Sequence, residues 1–557
     1  QAIDNGNDNS TIRQSIGIAL MKTHNYSEAR ENFIKALDYE KTPSIYLNIA
    51  LCYKELQMPG MAIYYMEMID TKGLDDDKRK LRYDTLGFLY ADGKRYEKSA
   101  HAFEASLNIK EDCNIVLRYG KMLIIINNFD KAERILDQLN IKCLNTELIP
   151  QYYDALSELA LHKGQKEAAL ENLIKANEFS PDPARYNKIA LTYRELKEFE
   201  KSIDFFNKAI KLDSGNLSYL SSLGYTYKEH GNRDEAIIAL ENVITLNPDY
   251  LNLSEDLGYI NMQQCNNSKA VEYFKKTIDN IPYYPLHSDG EISDFNDRMY
   301  SIRQEIKKLN KVFDTTMYLT YRTNKNKYFT SVVGGEGMQF ASEGGVELAY
   351  TPPEIGLRDE RILQVFGRIY FNIKPGTLNW NEDSLQGGIG IRYKPLKTQN
   401  LWVSAEELFK IGENSVDDEL IRVLYSTGDG YGLKPGKRHW NYTSLYLESG
   451  YFIRSATYTA YTEFRQGLTI NHKNHVLITP YVGIDYRYQS PLSLGSAYIE
   501  GGPGVSVKYL FNETKYEVHK SNLELLINYK YGRFLDNLFQ PTKGDFGGLI
   551  ITSILRF

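Results

Sequence analysis

One spacing limits the fold of this chain more than any other feature. A small residue recurs at Gly17, Ala50, Gly87, Gly120, Ser157, Ala190, Gly224 and Gly258, at intervals of 33, 37, 33, 37, 33, 34 and 34 residues. Twelve residues after each stands a second small residue: Ala29, Ala62, Ser99, Ala132, Ala169, Ser202, Ala236 and Ala270. Small residues at that separation let the two helices of a hairpin approach closely, and large apolar residues fill the groove between neighbouring hairpins. Eight such pairs in phase call for stacked helical hairpins.

Around residue 224 the chain reads LGYTYKEHGNRDEAIIALENVITLNP. Leu223, Gly224, Tyr227, Ala236, Leu240 and Pro248 stand where the tetratricopeptide pattern, with its period of about 34 residues, wants them. Pro181, Pro248 and Pro282 are expected to end helices. A tetratricopeptide (TPR) solenoid over 1–292, all-α and superhelical, offers a concave surface for a peptide, a partner protein or a polymer. Tyr53, Tyr90, Tyr193 and Tyr227 fall on the motif's packing position and are expected in the core. The stretch 293–313 predicts an amphipathic helix with Ser293 as N-cap and Met299, Ile302, Ile306, Leu309 and Phe313 along one face. It would either cap the last repeat or connect it rigidly to the C-terminal half.

From about residue 314 the period changes to two. In 523–531, Leu523, Leu525, Ile527, Tyr529 and Tyr531 oppose Glu524, Asn528 and Lys530; 457–465 and 478–488 alternate likewise. About twelve segments do so between 314–322 and 546–557, with ten to fourteen the range. A soluble sandwich would bury the apolar face against a second sheet, whereas a membrane barrel turns it to lipid. Several segments reach about ten residues or more, longer than sandwich strands. The chain holds 44 tyrosines, many near strand ends, as aromatic girdles require. An antiparallel transmembrane β-barrel over 314–557 is expected. The strand FGGLIITSILRF ends on an aromatic and resembles the C-terminal recognition signal of bacterial outer-membrane proteins, making Phe557 an assembly signal read by the barrel-assembly machinery.

Composition agrees. Mean hydropathy is −0.45, and no stretch approaches the ~20 apolar residues of a membrane-spanning helix. A net charge of −6, with no Lys/Arg block, gives no sign of nucleic acid. The chain begins at Gln1 with a polar run, as after signal-peptide removal or trimming. Of the four cysteines, Cys113 and Cys143 could bridge in an oxidising periplasm; buried free thiols are the alternative. The nine histidines are scattered, and no catalytic residue, metal ligand or cofactor site is expected.

If the apolar set meets lipid, the candidate lumen-lining residues are Glu347, Arg368, Arg392, Glu406, Glu448, Tyr461, Glu463, Arg465, Tyr481, Asp485, Arg487, Lys508, Glu524 and Lys530. The mixture of signs speaks against a strongly ion-selective pore. These charges either pair across strands or form a polar track for a glycan, with Tyr446, Tyr461 and Tyr481 as platforms for sugar rings. The loops near 412–418, 425–440 and 533–545 are candidates for the cell surface, their sides depending on strand parity.

The blocks SAEELFKIGENSVDDELIRVLYSTGDG (404–430), LYLESGYFIR (445–454), YTEFRQ (461–466), ITPYVGIDYRY (478–488) and GGPGVSVKY (501–509) resemble the C-terminal domain of the bacteriophage adsorption protein A family, NfrA. The resemblance spans roughly 402–531, and this chain is much shorter than typical members. It implies a non-enzymatic outer-membrane component of surface-glycan secretion, with the N-terminal domain in the periplasm. Its partners would be a surface polysaccharide, an inner-membrane glycosyltransferase and, in some members, a phage tail protein. Two alternatives stand beside it: a barrel that translocates surface lipoproteins, and a passive adhesin or receptor with a plugged lumen.

Overall fold

The computed structural model describes residues 8–248, 253–280, 289–323, 342–373, 379–490, 497–535 and 545–557. It divides into two compact units, Gln1–Ala239 and Leu240–Phe557.

The first unit is built of helical hairpins, beginning with Ser10–Lys22 and Tyr26–Leu37. Helix starts are marked by side chains that accept orphan backbone N–H groups: Asn9 Oδ1 takes that of Ile12 at 3.0 Å and Asp75 Oδ1 that of Lys78 at 2.8 Å. Pro43 and Pro183 open their helices, where no N–H is needed. Seven residues after each small position the backbone turns left-handed, at His24, Gln57, Lys94, Asn127, Gly164, Lys197, Gly231 and, in the second unit, Cys265. The same turn therefore closes every hairpin, although only Gly164 and Gly231 adopt it without steric cost.

The small residues do what their spacing implies. A Cβ on Gly87 would lie 2.5 Å from Cδ1 of Phe103, and one on Gly120 would lie 2.6 Å from Leu136. At two partner positions a hydroxyl uses the close approach: Ser99 Oγ donates to the Gly87 carbonyl and Ser202 Oγ to that of Ala190, both at 2.7 Å. Tyr53 and Tyr90 are buried, while Tyr193 and Tyr227 pack half-buried against the core. Cys113 and Cys143 form a disulfide with Cα atoms 6.0 Å apart, so the free-thiol alternative holds only for Cys52 and Cys265. The bridge ties the start of the helix Cys113–Ile125 to the turn Ile141–Cys143. Pro181 follows the end of Lys166–Phe179 as expected, whereas Pro282 lies outside the described residues.

In the second unit the hairpin Leu253–Gln263 and Asn267–Asp279 precedes a connector helix, Asp289–Asn310. Met299, Ile302 and Ile306 of that helix are buried against Ala270, Val271, Phe274 and Ile278. Two expectations are corrected here. The helix begins at Asp289, so position 293 lies inside it and is not its cap. Phe313 is not on the helix face but opens the first strand, 58% exposed.

Thirteen strands follow among the described residues: β1 (Phe313–Arg322), β2 (Glu343–Tyr350), β3 (Leu357–Arg358), β4 (Arg361–Ile373), β5 (Trp380–Lys394), β6 (Asn400–Lys410), β7 (Asp418–Asp429), β8 (His439–Phe452), β9 (Thr457–His472), β10 (Val476–Gln489), β11 (Ala497–Phe511), β12 (Ser521–Phe534) and β13 (Asp545–Arg556). Each pairs antiparallel with its neighbour, β2 pairs directly with β4, and β1 pairs with β13. β3 is a two-residue extension beside β4, so the closed ring has twelve strands.

Alternation sets the two faces. On β10, Ile478, Val482, Ile484 and Tyr486 point outward, while Thr479, Tyr481, Asp485 and Arg487 are buried inside. Strands β8 to β12 run 14 to 16 residues, enough to cross a bilayer at the usual tilt. Outward aromatics gather in two bands. Phe313, Tyr350, Tyr393 and Tyr509 ring the end nearest the connector helix, and Phe409, Tyr451, Tyr458 and Tyr531 ring the far end, with Val, Leu and Ile exposed between. An apolar belt between aromatic girdles, with charge inside, marks a membrane-spanning barrel. No helix among the described residues is long and apolar enough to cross a membrane.

Two glycines make a paired test of the hairpin packing. Gly87→Val should destabilise the repeats by about 1–3 kcal/mol through overpacking against Phe103. Gly60→Ala, where nothing lies within 4 Å of the added Cβ, should stabilise by roughly 0.5–1 kcal/mol. Urea unfolding followed by circular dichroism checks both signs.

Candidate functional site

The strand pattern that turns apolar residues to lipid collects charged ones inside the barrel, and register decides which of them meet. In the wall from β2 to β8, the Arg368 guanidinium grips both carboxylate oxygens of Glu406. Arg422 reaches Glu406 at 3.1 Å and Glu448 at 3.5 Å, and Tyr370 donates its hydroxyl to Glu406 at 3.1 Å. Arg392 holds Glu347 at 2.7 Å. Gly388 makes room, since a Cβ there would collide with Glu406 Oε1.

A second network lines β1 and β9 to β12. Arg322 forms a bidentate pair with Glu500 at 2.7 and 2.8 Å. Lys530 pairs with Asp485 and lies 3.8 Å from Glu463, which also holds Arg465 at 2.8 Å. Arg487 is buried beside the Tyr498 hydroxyl, 3.4 Å away. A third group sits next to the β12–β13 pair, where Glu524 meets Arg556 at 3.3 Å and Lys508 at 3.5 Å.

All fourteen predicted lining residues thus lie on the inner face, buried or half-buried. The twelve charged ones make ion pairs or, for Arg487, a hydrogen bond to a tyrosine. Charge-assisted bidentate pairs of this kind are strong where water is scarce. Sequence reasoning missed Arg322, Glu343, Arg422 and Glu500, which complete the networks. Arg422 carried a usable signal, sharing the parity of Asp418 and Ser426 on β7 while Ile421 and Val423 hold the other. Glu343 and Glu500 each precede two glycines, and glycine carries no alternation to read.

The tyrosine expectation is corrected. Tyr461 and Tyr481 are buried, with Arg487 5.8 Å from the Tyr461 ring centre and Arg465 5.1 Å from that of Tyr481, so neither ring lies open to a sugar in this state. Tyr481 also donates to Asn528 at 2.5 Å. Tyr446 lines open space, but its hydroxyl is committed to Glu448 and its ring stands edge-on to Tyr461.

The interior is open towards the connector helix and filled further in. One cavity of about 690 Å³ reaches from Lys307 and Lys311 on the helical side to Arg368, Tyr446 and Glu463. A second, of about 530 Å³, lies between Tyr300, Lys307 and Lys308 of that helix and Leu433, Leu510 and His519. Beyond them Arg322, Glu343, Tyr370, Gln386, Arg487 and Tyr498 are all buried.

The connector helix is fastened to this mouth. Arg303 reaches Glu513 at 2.7 Å, Lys307 donates to the His519 carbonyl at 2.5 Å, and Asn310 donates to Glu517 at 2.8 Å. The Lys520 ammonium and the Asn310 amide, opposing burial, hold the Glu517 carboxyl below its usual range. Strand parity now separates the three long loops. Segment 425–440 belongs to the helical end, where Leu433 packs with Trp440, Leu477 and Tyr300, so it does not join 412–418 at the far end. The segment 536–544 lies outside the described residues. Phe557 pairs through its backbone with Thr315, its N–H donating at 3.0 Å, and its ring meets Phe511 edge-on.

Glu406 offers a direct test. Glu406→Ala leaves Arg368 and Arg422 buried without their shared carboxylate, which should cost about 3–5 kcal/mol. The quadruple change R368M/E406L/R422M/E448Q removes the charges of that cluster's centre without orphaning Glu448, while Glu347 keeps Arg392, and should recover most of the loss. The temperature at which the barrel loses its compact migration on a denaturing gel reads both.

Comparison with known proteins finds tetratricopeptide repeats followed by a phage-adsorption-type C-terminal domain. Residues 378–538 match the family model described as bacteriophage N adsorption protein A C-term, and residues 184–216 and 217–250 match the tetratricopeptide repeat model. The bacteriophage adsorption protein A of Escherichia coli K12 is 24% identical over 381 residues, which are 66% of this chain and 38% of that protein. Less than half of the relative's length is therefore represented here. Among solved structures, a MamA protein is similar over 31% of this chain and 93% of its own, at 21% identity and a TM-score of 0.28. The C-terminal part of a TPR repeat-containing protein from Cytophaga hutchinsonii is similar over 42% and 95%, at 17% identity and a TM-score of 0.35. The resemblance read from the sequence blocks is thereby shown: tetratricopeptide repeats precede a barrel similar to the C-terminal domain of the bacteriophage adsorption protein A family.

Proposed function

We propose that this chain is a non-enzymatic outer-membrane component of a surface-glycan secretion system. The barrel is the outward route, and the repeats gather glycan or periplasmic partners. The observation that carries this reading is the polar cavity of about 690 Å³ inside the barrel, opening on the side of the connector helix. A long hydrated polymer needs a polar wall with no strong preference of sign, and the paired acids and bases supply one. Placing the helical end in the periplasm puts the tight β9–β10 turn there, in keeping with the short periplasmic turns of bacterial barrels. The relative's name supports use of the far-end loops by a phage tail protein.

In the state seen here buried side chains fill the half of the barrel away from the connector helix, so passage requires them to rearrange. That same observation favours a second reading, a surface receptor whose lumen stays shut.

Deleting the gene should abolish one surface glycan while its synthesis at the inner membrane continues; an unchanged surface glycan refutes the export reading. Conductance in planar bilayers separates the two readings. A secretion route should be nearly silent in the wild type and gain open events in R322A/E500A, whereas a fixed plug should stay silent in both.

A further inference from the structure

Three side chains at the helical mouth of the barrel have no part in the lumen networks. His475 sits in the β9–β10 turn, and Glu513 and His519 sit in the β11–β12 loop. We propose that His475, Glu513 and His519 form a site for a divalent transition metal, with zinc the best match.

The donor set comes first. Nδ1 of His475 stands 3.0 Å from Nε2 of His519, and Glu513 Oε2 stands 3.3 Å from the same Nε2. All three donor atoms lie within 4.8 Å of one another. A zinc ion about 2.0–2.1 Å from two imidazole nitrogens at tetrahedral angles separates them by about 3.3 Å. Shifts of a few tenths of an ångström therefore admit the ion. Without a metal, one imidazole must donate to the other, which uses the same nitrogens less well. Three protein ligands leave a fourth position open for water or an incoming group.

The frame around the donors is set. Lys473 and Asn474 hold left-handed conformations that make the tight β9–β10 turn, and the His475 carbonyl accepts from Leu510 N–H at 2.7 Å. Glu513 uses its other oxygen to hold Arg303, which fixes the carboxylate as outer partners of metal ligands do. Burial, with the charges of His475, Arg303 and Lys307, lowers the His519 pKa against the pull of Glu513. Lys473 and Lys515 line the adjoining hollow and, with Arg303 and Lys307, oppose a cation. The carboxylate offsets part of that charge, and a transition metal bound through imidazole depends less on Coulomb attraction than calcium or magnesium would. Bound metal would tie the turn and the loop into one unit beneath the connector helix.

The test is a zinc titration by calorimetry on the full chain in detergent at neutral pH, with calcium as control. We expect one zinc per chain, no calcium binding, and zinc affinity weaker by about 100-fold or more in H475A/H519A and about 10-fold in E513Q. Barrel folding in each variant is checked by heat-modifiable gel migration. Cobalt(II) provides a second readout: visible bands without thiolate charge transfer assign the site to these residues rather than to Cys52 or Cys265. Equal zinc binding by wild type and H475A/H519A, no zinc binding by the wild type, or a thiolate band overturns the proposal.

Discussion

A sheet that crosses a bilayer cannot leave an edge, because no water is present there to satisfy unpaired backbone groups. The rest of the C-terminal structure depends on that constraint. The pairings β2–β4 and β1–β13 close the ring, and closure fixes an inside and an outside. With a period of two, each strand must then give one residue in two to a wall that lipid cannot solvate and one to an interior that can be polar. Charged residues in the interior must find partners, and antiparallel register supplies them. Pairing of Glu347 with Arg368 across β2 and β4, or of Glu524 with Lys508 across β11 and β12, is set by the backbone ladder before any side-chain preference acts.

The helical half answers a different constraint. Its small residues matter because each faces a large one: Gly87 faces Phe103, Gly120 faces Leu136 and Gly258 faces Phe274. Each repeat is thus specified locally, and the left-handed turn seven residues on repeats the same geometry with eight different side-chain contexts. The barrel is specified by distant pairings instead. One chain carries both strategies, joined through a connector helix whose apolar face serves the last hairpin and whose basic residues serve the barrel mouth.

Much of this is legible in the sequence. The hairpin phase can be read because a helical repeat writes itself in neighbouring residues. The twelve strands can be read because alternation is also local, and the inward parity of residues such as Asp485 and Lys530 comes with it. What register alone decides cannot be read: that Arg322 meets Glu500, that Arg422 shares Glu406, and that arginines stand beside Tyr461 and Tyr481. The side of the loop 425–440 is hidden for a related reason, since its end of the barrel depends on counting every preceding strand. His475 and His519 look scattered because the two turns that bring them together are separated by two whole strands, β10 and β11.

The β1–β13 seam has a kinetic consequence. Thr320 and Thr552 share a hydrogen bond at 3.1 Å across a sequence separation of 232 residues, while every other wall pairing joins consecutive barrel strands. Closing a loop costs entropy that grows with the logarithm of its length, so this contact is the hardest to form from an open chain. It becomes favourable only after the hairpins between have zipped and curved. The ring therefore shuts last, and until it does, β1 and β13 present two free edges to any neighbouring strand. The slow step of folding and the moment of greatest risk of mispairing fall at the same seam.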